Sequence, residues 1–148
     1  MAYHDDLLDQ ADHLAVRDPK RPKQANLRRA VSTAYYALFH LLVSEAVSYW
    51  RIERQRAALA RSFDHRKMKG ACSSCRSPVA ELKAVAEAFV ILQQSRHLAD
   101  YDNSKAWTRV DAVTEVTRAR GAFAQWERIK TRAESQDFLL SLFAADRR

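Results

Sequence analysis

Two groups of polar side chains in this sequence are spaced so that each could act as a unit. Arg29, Ser32, Tyr36 and His40 follow one another at intervals of 3, 4 and 4 residues, which places them on one face of a helix. Most of the residues between them, including Val31, Ala34, Tyr35 and Leu38, are apolar. The stripe therefore reads either as an interhelical hydrogen-bond network in a core or as the lining of a cleft or subunit interface. The second group is Arg96-His-Leu-Ala-Asp-Tyr101, in which Arg96 and Asp100 are one turn apart, as are His97 and Tyr101. A guanidinium can neutralise charge developing on a phosphate, and an imidazole can take and return a proton near neutral pH. Those two functions are what RNA cleavage through the 2′-hydroxyl requires, with no metal. The same four residues, Arg96, His97, Asp100 and Tyr101, also suit a local ion pair beside a helix-end histidine favoured by the dipole.

A further Arg/His pair, Arg61 and His65, stands one turn apart in a basic stretch. By itself it reads as a solvated surface attractive to phosphate. Cys72-Ser-Ser-Cys75 offers two thiols, and a structural zinc site wants four ligands. His65 supplies a third and no fourth follows, so the expectation is two reduced loop cysteines and no metal. A redox pair of the usual kind would open a helix after a strand, and no strand is expected. The absence of any glycine-rich phosphate loop argues against the common modes of ATP or NAD binding. No cofactor is expected.

The elements that must position these groups are helices. The 148 residues suit one domain, and only 2 Gly and 3 Pro interrupt them. Apolar periodicity predicts a first helix over about residues 3–17, with Asp5, Asp6 and Asp9 in its early turns. Arg17-Asp-Pro-Lys-Arg-Pro-Lys23 is a linker, and Pro22 suits the first turn of a second, long helix reaching at least residue 48. A short helix around 54–64 precedes a loop over 69–76. A third principal helix opens at Ser77-Pro78 and runs to about 99. A fourth runs from about 104 to 133, with Trp107, Val110, Val113, Val116, Phe123, Trp126 and Ile129 as its buried stripe. Ser135 caps a short final helix. The expected architecture is a single all-α domain, a bundle of four principal helices plus a short C-terminal helix.

The formal net charge is +7 and the pI about 9.7, a balance that favours polyanionic partners such as RNA, nucleotide or an acidic protein. The acidic opening MAYHDDLLDQ lacks the basic start of a signal peptide, and no apolar run reaches the roughly 18 residues of a membrane span. The cytoplasm is the expected location, with no membrane partner.

Arg28-Arg-Ala-Val-Ser-Thr-Ala-Tyr-Tyr-Ala-Leu-Phe-His40 resembles the Ser-x-x-Tyr-Tyr-x-x-Phe-His signature of HEPN domains. Arg96-x-x-Ala-Asp-Tyr101, at the end of the third principal helix, is similar to the matching second motif of one bacterial branch. The resemblance implies a helical bundle that forms a homodimer, often beside a nucleotidyltransferase antitoxin, within a toxin–antitoxin or defence system. It also implies a metal-independent ribonuclease in which an Arg and a His four to six residues apart act in a cleft between subunits. The alternative it carries is a non-catalytic dimeric module holding nucleotide, RNA or a protein partner. Tyr101 resembles the tyrosine that antitoxin enzymes nucleotidylate. The sequence departs from the family at one point: beyond the adjacent His97 no histidine follows Arg96, and Asp100 lies about where the family histidine would be. A replacement base would be His97, His65 or His40.

Overall fold

With so few breakers, most of the described residues lie in helices. The computed structural model describes residues 2–144. Among these there are seven helices and no strand: α1 (Tyr3–Val16), α2 (Gln24–Ser48), α3 (Glu53–Ala60), α4 (His65–Ser73), α5 (Ala80–Tyr101), α6 (Arg109–Ile129) and α7 (Ala133–Ser141). The long helices α1, α2, α5 and α6 pack around one core. That core holds Leu27, Val31, Tyr35, Leu38 and Leu42 of α2, Leu82, Val85, Phe89 and Leu92 of α5, and Trp126 of α6, each no more than 1% exposed. The short pair α3–α4 lies on the flank of this bundle and α7 closes its end. By length and composition α2 could cross a membrane, but 67% of its most apolar window is buried inside the bundle.

α2 begins at Gln24, two residues beyond Pro22, so the expected proline in the first turn is not found. The Asp18 carboxylate instead gathers the corner, accepting from the Lys23 amide at 3.1 Å and the Asn26 side chain at 2.8 Å. Gln24 is then free to clamp the backbone of Trp107, donating to its carbonyl at 2.7 Å and accepting from its amide at 2.9 Å. That clamp explains a second difference. The expected helix from residue 104 starts only at Arg109, because residues 105–107 are held against α2 and a reciprocal Thr108–Asp111 capping box sets the new start. Trp107 is buried outside the helix, whereas Val110 and Val113, expected inside, are 74% and 39% exposed.

The largest departure is α4, which occupies most of the stretch expected to be a loop. Asp64 caps its first turn by accepting from the Lys67 amide, and Met68 and Cys72, one turn apart, bury against the core. Two apolar anchors among many charges suffice when a capped turn places them on one face. Ser135 sits inside α7 rather than at its cap; it is fully buried and donates to the Ile129 carbonyl.

Arg28 fixes the end of α5 against α2. Its guanidinium donates to the carbonyls of Ala99 at 3.0 Å, Asp102 at 2.8 Å and Lys105 at 2.6 Å. A charged fork satisfying one carbonyl in the last turn of α5 and two beyond it contributes more than one ordinary hydrogen bond. Arg28→Ala is expected to destabilise the fold by about 2–4 kcal/mol, read as a lowered urea midpoint with an unchanged slope.

Candidate functional site

The two polar groups meet where α2 and α5 run antiparallel, a pairing shown by Arg28 against Ala99, Ser32 against Asp100 and Tyr35 against Arg96. Ser32 is buried and donates to the Asp100 carboxylate at 3.3 Å. Arg96, its side chain only 14% exposed, stands 3.7 Å from Asp100, with its guanidinium carbon 5.3 Å from the Tyr35 ring centre and 5.6 Å from that of Tyr36. Two tyrosine faces are a favourable seat for a planar cation. Its hydrogen-bonding capacity is little used: Nε is buried with no partner among the described residues, and the Asp100 contact is a loose ion pair.

His65 completes the group from a third helix. The first residue of α4, it accepts or donates one hydrogen bond of 2.6 Å between Nδ1 and the Tyr35 hydroxyl. Its ring stacks on Phe39 with centroids 4.2 Å apart and meets Tyr36 edge-on at 5.8 Å. Gln93 of α5 holds the His65 carbonyl at 3.3 Å. Burial pushes the Tyr35 hydroxyl well above the usual phenol range, so it stays protonated at neutral pH. Partial burial lowers the pKa of His65, and the positive charge of Arg96 lowers it further, against a smaller opposing effect of Asp64. The ring is thus neutral at pH 7, and in the tautomer with its proton on Nδ1 it donates to Tyr35 and leaves the Nε2 lone pair free.

The other candidate residues divide clearly. Tyr36 and His40 are half-buried on the same face of α2, with His40 edge-on to Tyr3 at 5.0 Å and 6.4 Å from Tyr36. Burial, then the proximity of His65 and His4, lowers the pKa of His40. Arg29 is exposed at the outer end of the stripe, and Arg61 is exposed on the approach to α4. His97 and Tyr101 are exposed and pack on one another at 5.0 Å, outside the Arg96–Tyr35–His65 group. The sequence does not single out Gln93, and it marks Tyr35 and Phe39 only as positions of the first motif, with no chemical role given to either. Their apolar or neutral character gives no chemical signal by itself.

Cys72 is buried and Cys75 half-buried, both as free thiols, with burial driving the Cys72 thiol far above its ordinary pKa. Among the described residues no cluster of three or more His, Cys, Asp or Glu side chains is arranged to hold a metal ion. No protein-family profile, curated protein or solved structure matches this chain.

Proposed function

We propose that this chain is a HEPN-type domain acting as a metal-independent endoribonuclease, a component of a bacterial toxin–antitoxin or defence system in the cytoplasm. The observation that carries the reading is the convergence of Arg96 and His65 on Tyr35. The family's Arg-to-His pairing along one helix is absent here, and the arrangement supplies the same two functions from α5 and α4. His65 Nε2 takes the proton of a ribose 2′-hydroxyl, and the freed oxygen attacks the adjacent phosphorus. Arg96 holds the extra negative charge that builds on the phosphate oxygens. The bond to the 5′-oxygen breaks and that oxygen takes a proton from water. The hydroxide so formed is neutralised by the proton that His65 gives back to solvent, and a 2′,3′-cyclic phosphate remains. Tyr35 keeps the imidazole oriented through both states, because its oxygen accepts from Nδ1–H whether the ring is neutral or charged.

A homodimer that walls the cleft, and a nucleotidyltransferase antitoxin acting on Tyr101, belong to the same proposal. The exposure of Tyr101, at 68%, suits it to modification by another enzyme. The second reading, a non-catalytic module for RNA, nucleotide or protein, draws on the Arg96–Asp100 pair, which occupies the cation when no phosphate is present. The deciding experiment is incubation of the purified protein with a structured RNA in excess chelator, followed by end-group analysis. Fragments with 2′,3′-cyclic phosphate and 5′-hydroxyl ends are expected. An intact, correctly folded protein that leaves the RNA whole would favour the module.

A further inference from the structure

The net positive charge of the protein is concentrated on one short stretch. Eight of the 25 Lys and Arg residues lie between positions 51 and 76, against two of the 18 Asp and Glu residues, so 26 residues carry +6 of the formal +7. Among the described residues none of these eight cations forms an ion pair with a carboxylate. Arg51, Arg54, Arg61, Arg66, Lys67 and Arg76 are exposed. Like charges crowded without counter-charges raise the local potential and make the segment unfavourable unless anions gather on it.

An aromatic side chain stands at the head of this stretch. Trp50 is 49% exposed yet fixed in place: its indole N–H donates to Gln55 at 2.8 Å, and its carbonyl accepts from Arg56 at 2.9 Å. From there α3 leads back along α2 toward His65, an eight-residue helix rising about 12 Å. Buried residues are absent from α3. A half-exposed, hydrogen-bonded indole, the exposed arginines Arg54 and Arg61 and the imidazole of His65 thus follow one another along this basic stretch of chain.

We propose that this stretch, from Trp50 along α3 to the start of α4, is a track that binds a single-stranded RNA segment, with an unpaired base stacked on Trp50 and phosphates on Arg54, Arg61 and Arg66. An unpaired strand fits better than a duplex, because a stacking face needs a base free of its pair. A membrane surface fits less well, since an inserted helix needs an apolar face and the one large apolar residue of α3, Leu59, packs against the core. The proposal rests on the ribonuclease reading for the placement of the strand beside His65, and its test is kept independent of cleavage.

The test uses a 2′-O-methyl oligonucleotide, which cannot be cut through its 2′-oxygen, in fluorescence-anisotropy titrations from 50 to 300 mM salt. Neutralising Arg54, Arg61 and Arg66 together as glutamines is expected to weaken binding on the order of 10- to 100-fold at low salt and flatten the log–log salt slope by about 2. Trp50→Ala is expected to weaken binding about 5- to 100-fold with an unchanged slope, and Trp50→Phe to restore most of the loss. Because Trp107 and Trp126 are buried, binding is also expected to quench the fluorescence of Trp50 selectively. Unchanged affinity in the folded triple variant overturns the proposal, as does tight binding to phosphatidylserine vesicles with none to the oligonucleotide. Cleavage without binding on this track leaves the ribonuclease reading standing, and binding without cleavage of ordinary RNA leaves the track standing.

Discussion

Arg96→Ala is expected to lower the turnover of RNA cleavage by about 100- to 1,000-fold, with a much smaller change in KM. The expectation follows from where the guanidinium sits. Only 14% of the side chain is exposed, two tyrosine rings flank it and its one ionic partner is 3.7 Å away. A cation so placed is strengthened by the poor screening around it and needs little rearrangement to meet charge that appears only in the transition state, which is where a donor of this kind has its effect. Initial rates at saturating RNA separate turnover from binding. Arg96→Lys keeps the charge but loses the planar fork, so recovery of no more than about tenfold is expected. Asp100→Asn gives the complementary result. If Asp100 is only the resting partner of Arg96, removing its charge leaves cleavage intact and tightens phosphate binding. A loss as large as that of Arg96→Ala would instead assign the pair a structural role. The alanine variant also leaves two tyrosine faces and the Asp100 carboxylate without their cation, so rates are to be compared at a temperature well below its unfolding transition.

How much of this was legible in the chain depends on the kind of force that fixed each part. The four long helices follow from apolar periodicity, and Leu27, Val31, Tyr35, Leu38 and Leu42 form the buried stripe that their spacing implies. The ends of the helices follow from single polar contacts at long range, which no local pattern reveals. Gln24 clamps Trp107 across 83 residues and Arg28 reaches Lys105 across 77, and together they tie residues 105–107 to α2 outside any helix. α4 was hidden for a related reason: its helical signal is only Met68 and Cys72 among cations, and Asp64 acquires its meaning as a cap only once the helix exists. At the candidate site, spacing put Ser32 and Tyr36 on one face of α2 and Arg96 and Asp100 on one face of α5, and it is the packing of the two helices that brings the pairs together. His65 was one of three histidines that the sequence left equal. The choice among them comes from tertiary packing, which seats His65 on Phe39 and Tyr35 and leaves His97 on the outside.

His65 should then govern the pH dependence. Its alanine variant is expected to lose about 100- to 10,000-fold in turnover, the range for removal of a positioned general base. In the wild type the base must be neutral, so kcat/KM is expected to be flat near neutrality and to fall tenfold per pH unit on the acid side, beginning below the usual histidine value of about 6.5. Two causes set that displacement, burial first and the charge of Arg96 second. Removing the charge removes only the second, so the residual activity of Arg96→Ala is expected to show an acid limb moved upward, toward ordinary histidine. An acid limb that stays in place in Arg96→Ala would show that the group titrating in the rate is not one that feels the charge of Arg96, which rules out His65 as the base. The same titration acts on folding with a definite sign. A histidine whose pKa is lower in the folded state than in the unfolded chain leaves the unfolded chain binding more protons between the two values, so stability is full above about pH 6.5 and declines as pH falls through the folded value. His40 shifts in the same direction, again chiefly by burial. Urea midpoints measured from pH 7.5 down to 5 are therefore expected to fall in the wild type and to fall less steeply in His65→Gln. If the two proteins lose stability in parallel, His65 is not a group that folding holds neutral, and the base must be sought at His40.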